Sequence, residues 1–375
     1  MKRPIVGVVG GGQLARMMIP AAVSLGIELR VFAETRQAPA ELAVTQIGNV
    51  NDIVELRSFV KGLDVLTFEH EHVPQPVLGE LLQEGCNIQP PPMALRAAQN
   101  KWHMRQRMSE LNLPNPVWTE AKNATEVGDF IRSQGGAAIA KTPIGGYDGR
   151  GVRVISSPAD VADWLARIDE LGGQLLLEER ISFKRELAAL LARSPSGEIS
   201  HWPLIETRQA NGVCNVAIAP APQPAPSAQA KDIAERVAQG LGVTGVLAVE
   251  MFEDHSGRLY INELAMRPHN SGHFSIEASE TSQFEQHLRA VLDLPLGSTE
   301  LKSEHAVMQN LLGASEATDL QGRAAQALDL FPAIKFHDYC KPPRSGRKLG
   351  HLTRSGDNLD LILSELEQAR AIFID

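Results

Sequence analysis

Val246 Leu247 Ala248 Val249 Glu250 Met251 Phe252 and Leu259 Tyr260 Ile261 Asn262 Glu263 Leu264 are two apolar runs, each carrying a glutamate. Residues 253–258 between them are polar and include a glycine, the pattern of a hairpin with a short loop. Glu250 is expected to face Glu263 directly, with Cβ atoms roughly 5 Å apart. Like charges so placed destabilise a sheet. Mg²⁺ would resolve the conflict, because it takes carboxylate oxygens and fills its remaining positions with water and substrate phosphates. Simple solvation of a half-exposed hairpin is the competing reading. The residues that follow favour a site: on an extended chain Glu263, Ala265, Arg267 and His269 share one face, which gathers two acids, an arginine and a histidine. A nucleotide enzyme is the expectation.

The chain has 375 residues, too many for one compact core, so two or three domains are expected. Its 43% hydrophobic and 22% charged residues are ordinary for a globular protein and argue against general disorder. A formal net charge of -9 gives no support to a nucleic-acid surface. Cys86, Cys214 and Cys340 lie too far apart for a disulfide framework or a zinc spacing. No signal-like segment precedes the first strand, and no apolar run is long enough to cross a bilayer. A cytoplasmic enzyme, bound to neither membrane nor nucleic acid, is expected.

Over the first ninety residues, strands at 5–9, 28–32, 65–68 and 87–89 alternate with helical patterns beginning at Gln13 and at 52–60 and 77–84, which implies a Rossmann-like parallel sheet. Three prolines, 90–92, mark a boundary, and a helix over 94–111 carrying Lys101 follows it. Four prolines within 220–227 precede a helix over 228–241, whose Ile233, Val237 and Leu241 form a buried stripe. Beyond 301 the pattern shows short strands and turns, with a basic cluster over 344–351.

Several motifs carry chemistry. Gly10 Gly11 Gly12 Gln13 Leu14 Ala15 fits G-x-G-x-x-A, with Glu34 placed as a ribose-binding acid, so NAD binding stays open beside a simple turn. Gly145 Gly146 Tyr147 Asp148 Gly149 Arg150 Gly151 permits close backbone approach to phosphates; it is not a Walker A loop, and Lys141 before it supplies a point charge. Glu178 and Glu179 end an apolar strand whose polar linker leads into a second strand at 187–192, a hinge suited to a base and a ribose. Glu69 His70 Glu71 His72 reads as a metal cluster or, preferably, as a substrate-facing acid among surface histidines. His269 and His273 have zinc-helix spacing, but Asn270 Ser271 Gly272 between them would break the helix. Arg344, Arg347 and Lys348, held by prolines and Gly346, form either a phosphate site or a solvated loop.

Together the glycine loop, Lys141, the hinge at Glu178, the Glu250 and Glu263 pair, and Arg267 resemble the ATP-grasp enzymes. Within that superfamily Gly12 Gln13 Leu14, the 145–151 loop, Asn262 Glu263 Leu264 Ala265 with Arg267, His269 Asn270 Ser271 Gly272 His273, Thr281 Ser282 Gln283 Phe284 Glu285 Gln286 His287, and Gly346 Arg347 Lys348 with Gly350 His351 resemble the 5-(carboxyamino)imidazole ribonucleotide synthetase family of purine biosynthesis. The resemblance covers nearly the whole chain. It implies an α/β and α+β multidomain protein: a Rossmann-like pre-ATP-grasp domain over 1–93, an ATP-grasp domain over 94–303 with a mobile lid at about 115–175, and a small C-terminal β-rich domain over 304–375.

By position, the resemblance implies that Lys101, Lys141, Gly146, Gly149, Gly151, Glu178, Glu179, Ile181, Glu186, Asn262 and Glu263 hold ATP, with Glu178 near adenine and Glu186 near ribose. Glu250 and Glu263 would hold Mg²⁺, or Mn²⁺ in its place. Lys141, Tyr147, Asp148, Arg267 and His269 would be catalytic. Gln13, Glu71, Tyr147, Arg267, Arg347 and Lys348 would bind substrate. The implied reaction is ATP- and bicarbonate-dependent carboxylation of 5-aminoimidazole ribonucleotide by a homodimer paired through its first domain. Ala265 stands where many ATP-grasp enzymes have asparagine, Met266 replaces a usual proline, and residues 207–211 lack an expected histidine. Rival readings are another ATP-grasp ligase, such as the formate-dependent glycinamide ribonucleotide transformylase, an NAD-dependent dehydrogenase, and a non-catalytic nucleotide-binding regulator.

Overall fold

Strand Ile5–Val9 pairs in parallel with Glu28–Ala33 on one side and Val65–Phe68 on the other, and Val44–Ile47 extends the sheet. Helix Gln13–Leu25 supplies the crossover between the first two strands; it buries Leu14, Ala15, Met18 and Ala22 as one stripe and ends at Gly26 in the left-handed conformation, φ 67°. Residues 87–89 add only a single bridge, Leu66 to Ile88, rather than the expected strand. The structure, a computed structural model, describes residues 3–145, 151–210 and 212–374.

A second, antiparallel sheet runs Leu259–Ala265, Gly245–Asp254, Phe183–Arg193, Ile205–Ala210, Val213–Ala219, His305–Leu312, Lys348–Gly356 and Lys335–Asp338. Ile199–His201 pairs with Phe183–Arg193 off that path. The hinge strand therefore begins at Phe183, before the polar residues rather than after them. Helix Ser227–Leu241 covers this sheet; burial of Ile233 and Val237 contributes roughly 2 kcal/mol each. The C-terminal segment adds more than strands and turns: helices Leu320–Leu330 and Leu359–Ile374 seal its face of the sheet with Ile362, Leu366 and Phe373.

A third sheet, Trp118–Ala121, Leu175–Glu179, Ala138–Lys141 and Val152–Ile155, carries helix Ala124–Ser133 and has its own core of Val127, Phe130, Ile131 and Leu177. The helix expected over 94–111 is two helices, Pro92–Gln99 and Lys101–Glu110. Asn100 breaks it because its extended backbone bridges Ile144, and its side chain then accepts from His103 N–H as the cap of the second helix. Among the described residues no helix is long and apolar enough to cross a membrane.

Helix Gln283–Val291 joins the first sheet to the large one. Its Phe284, Leu288 and Val291 pack with Leu14 and Met18, while buried His287 accepts from Val246 N–H at 3.1 Å and lies 2.8 Å from Thr67 Oγ1. Because Nδ1 is the acceptor, Nε2 carries the ring proton to Thr67.

Candidate active site

All three sheets face one cleft of about 1840 Å³. Its floor is the hairpin of Gly245–Asp254 and Leu259–Ala265. Beside the loop the ladder pairs Phe252 with Tyr260 and Met251 with Ile261; continued regularly it would set Asn262 against Glu250. A bulge intervenes, so Glu250 faces Glu263, as expected, with Asn262 as the extra residue. Arg105 stabilises this bulge: its guanidinium donates to Ile261 O at 2.6 Å and Asn262 O at 3.0 Å. Lys141 Nζ donates to Asn262 Oδ1 at 3.2 Å.

Arg105 and Lys141 also share Glu178, at 2.7 and 2.8 Å, and all three are buried. Burial alone would raise the Glu178 carboxyl, but the two cations outweigh it and hold it at about 2. Glu178 is thus an ionised strut between the cleft wall and the hairpin. Glu179 turns toward the start of the third sheet and accepts from Val117 N–H at 3.1 Å, and Ile181 lines the cleft from the linker. Lys101 donates to Gly145 O at 2.7 Å, tying the helix start to the glycine loop; burial lowers its ammonium pKa. Gly151 closes the loop with its carbonyl accepting from Thr142 N–H. Gly146, Tyr147, Asp148 and Gly149 lie outside the described residues.

Glu263 is open to solvent in the cleft and forms no hydrogen bond or ion pair among the described residues. The surrounding cleft walls partly desolvate its carboxylate although the side chain still reaches the cleft solvent, and this, then Glu250, raises its pKa. Glu250 moves the other way: burial would raise it, but His269, whose Nε2 lies 2.9 Å from Oε1, lowers it together with Lys348 and Arg267. An accessible carboxylate with no partner among the described residues, facing one whose pKa is lowered, fits a divalent cation that draws its remaining ligands from water and phosphate. Arg267 pairs with Glu71 at 2.8 Å, which joins the first sheet's edge to this centre. Glu186 lines the same cleft; burial raises its pKa, opposed by a hydrogen bond from Gln209.

Arg347 and Lys348 enter from the C-terminal segment. Gly346, φ 73°, makes the turn, in which Gly346 N–H donates to Gly313 O and Gly313 N–H donates to Arg347 O, both at 2.8 Å. Lys341 hydrogen-bonds Gln13 across the cleft. The Glu69–His72 segment divides by residue. Glu69 accepts from Gly12 N–H at 2.8 Å and Leu14 N–H at 3.3 Å, so it fills the anion site that the glycine loop offers. The dinucleotide reading of residues 10–15 fails on this point. His70 is half-buried and pairs with Glu34 at 3.3 Å, so neither is the surface histidine or the ribose acid expected. Among the described residues no group of three potential ligands stands ready for zinc.

Sequence reasoning brought together Lys101, Lys141, Glu178, Glu250, Glu263, Arg267 and His269, and missed Arg105, Gln209 and Lys341. Arg105 stands one turn after Lys101 on the same helix face, a spacing that signals a shared direction. Gln209 and Lys341 carry no comparable signal.

Three family models match in order: the ribonucleotide synthetase preATP-grasp domain over 1–99, the ATP-grasp domain over 106–284, and the phosphoribosylaminoimidazole carboxylase C-terminal domain over 306–365. The fold and cleft define an ATP-dependent ligase of the ATP-grasp class. The N5-carboxyaminoimidazole ribonucleotide synthase of Mycobacterium tuberculosis is 43% identical over 98% of this chain and 87% of its own. A solved structure of the synthetase from Thermotoga maritima is 34% identical, with a TM-score of 0.85 over 99% of both chains. The Aspergillus clavatus enzyme, solved with ADP and 5-aminoimidazole ribonucleotide, has 28% identity and a TM-score of 0.89 over 99% of this chain and 98% of that one. The chain belongs to the N5-carboxyaminoimidazole ribonucleotide synthase family.

Proposed function

We propose that this chain carboxylates 5-aminoimidazole ribonucleotide with ATP and bicarbonate, releasing ADP and phosphate, in purine biosynthesis. The observation that carries the reading is the convergence on one cleft of a carboxylate pair, a lysine-bearing nucleotide wall and a basic loop. Bicarbonate attacks the γ-phosphate to give carboxyphosphate, which carboxylates the amine. Glu250 and Glu263 would hold Mg²⁺, or Mn²⁺ in its place, which would supply charge neutralisation to the phosphates of ATP.

Lys141, fixed by Glu178 and Asn262, holds a charge at the phosphates without needing to reorganise during transfer. Lys101, Glu179, Ile181, Glu186 and Asn262 complete the nucleotide wall, to which the 145–151 loop adds backbone donors. Arg267 and His269, with Tyr147 and Asp148, bind bicarbonate and the carboxyl group in transfer. Glu71, Gln13, Arg347 and Lys348 hold the ribonucleotide, the two cations serving its phosphate. Loop closure excludes water from carboxyphosphate.

The same reading divides the chain at about 93 and 303, with a lid near 115–175; three family matches in sequence support three units and do not bear on the lid. A cytoplasmic homodimer belongs to the same proposal and rests on resemblance; light scattering at micromolar concentration tests the dimer. ADP release measured with ATP, Mg²⁺, bicarbonate and the ribonucleotide, each omitted in turn, tests the reaction. ADP release that ignores the ribonucleotide and bicarbonate would overturn it.

A further inference from the structure

Gln283, the first residue of the helix that joins the two large sheets, is wholly buried. Its carboxamide grips the backbone of His269 at both ends: Oε1 accepts from His269 N–H at 2.8 Å, and Nε2 donates to His269 O at 2.8 Å. Those two partners admit one amide orientation, since a backbone N–H only donates and a carbonyl only accepts. The second Nε2 hydrogen points to His273 Nδ1 at 2.9 Å, which must therefore accept. His273 is neutral, held well below its usual pKa by burial first and by His269, His337, Lys348 and Arg267 besides. Its ring proton is consequently on Nε2.

The surroundings hold the amide still. Gln283 N–H donates to Ser275 Oγ at 2.9 Å, and the His273 ring packs against Phe284 and His351 at 5.7 and 5.0 Å. On the other side of this clamp, His269 reaches Glu250 at 2.9 Å and Ser271 Oγ at 2.9 Å. A residue between two such anchors has little freedom to leave the reaction centre.

We propose that Gln283 is a positioning residue for the carboxylation: its carboxamide fixes the His269 backbone so that the imidazole stays against Glu250, and in doing so it sets the tautomer of His273. The proposal rests on the catalytic reading of His269 given above. The anchoring acts on a side chain at the reaction centre rather than on nucleotide binding, so its loss should appear in kcat and spare the KM for ATP.

The test compares the full-length wild type with His269→Asn, Gln283→Leu, Gln283→Glu and the His269→Asn, Gln283→Leu double variant. The Glu variant keeps the volume and the acceptor for His269 N–H, and so guards against a poorly folded Leu variant. Expected results are a fall in kcat of about tenfold or more for either Gln283 variant, a KM for ATP within about twofold, and a double variant no slower than His269→Asn alone. Nitrogen-15 spectra of histidine-labelled protein should place the His273 proton on Nε2 in the wild type and move it to Nδ1 in Gln283→Glu. Normal turnover in both Gln283 variants beside an impaired His269→Asn, additive losses in the double variant, or a wild-type proton on Nδ1 would each overturn this proposal alone. Unimpaired turnover in His269→Asn would instead overturn the functional reading of His269.

Discussion

Lys141 Nζ lies 2.8 Å from Glu178 Oε2, and the same carboxylate takes Arg105 at 2.7 Å on its other oxygen. Glu178→Gln would leave two cations buried with one neutral partner, a loss of roughly 3 to 5 kcal/mol. Because the folded pKa of Glu178 is about 2 against an ordinary 4.5, the stabilisation is complete above pH 4.5 and fades as pH falls toward 2. Denaturant melts of the wild type and Glu178→Gln should therefore converge through that window. A gap between the two that does not change with pH would disprove the ionic role.

The carboxylate pair gives the opposite sign. Burial and Glu250 raise the Glu263 carboxyl, so ionising it costs the folded state stability as pH rises through its usual range. Glu263→Gln should raise the thermal midpoint at neutral pH without metal, and the gain should vanish in acid. Turnover should meanwhile fall by orders of magnitude and lose its Mg²⁺ dependence. Near wild-type turnover would remove Glu263 from the metal site.

The large features of this fold are written in short-range patterns. Period-two runs gave the hairpin, and glycines and prolines gave its loops and boundaries, because those signals depend on neighbouring residues alone. The bulge at Asn262 was invisible because its carbonyls are satisfied by Arg105, more than 150 positions away in the chain. Asn100 similarly ends a helix that is locally continuous, through a bridge to Ile144. The glycine loop shows the same limit. G-x-G-x-x-A reports an anion site, and only folding reveals that the anion is Glu69.

That substitution of carboxylate for phosphate is testable. A Cβ on Gly12 would lie 2.0 Å from Glu69 Oε1, so Gly12→Ala must displace the carboxylate. Glu69→Ala removes it and strands two backbone donors at a helix start, a loss of roughly 1 to 3 kcal/mol. Both should lower the melting temperature, and neither should create NADH fluorescence on titration. Nicotinamide binding to the wild type would restore the dinucleotide reading.

His287 sets the acid limit of the joint between the sheets. Burial alone depresses its pKa to about 3, so the neutral ring stabilises the fold above pH 6.5, and that contribution is lost as pH falls from 6.5 toward 3. His287→Gln removes the titration, and its stability should vary less than that of the wild type between pH 6.5 and 4. Parallel pH curves for the two proteins would show that this histidine does not control the joint.

Lys348 separates the two substrates. It begins the strand Lys348–Gly356, shortly after the turn at Gly346, lines the cleft, and its charge lowers the pKa of Glu250 and of His273. A cation that serves the ribonucleotide phosphate contributes binding energy to that substrate and not to ATP. Lys348→Ala should therefore raise the KM for the ribonucleotide by about tenfold or more while the KM for ATP moves by less than about threefold, in initial-rate measurements with each substrate varied at saturation of the other. The comparison with Lys141→Ala makes the assignment directional: that variant should act mainly through ATP, since Lys141 is fixed on the nucleotide wall by Glu178 and Asn262. Equal effects of Lys348→Ala on both KM values would place it at the phosphates of ATP instead.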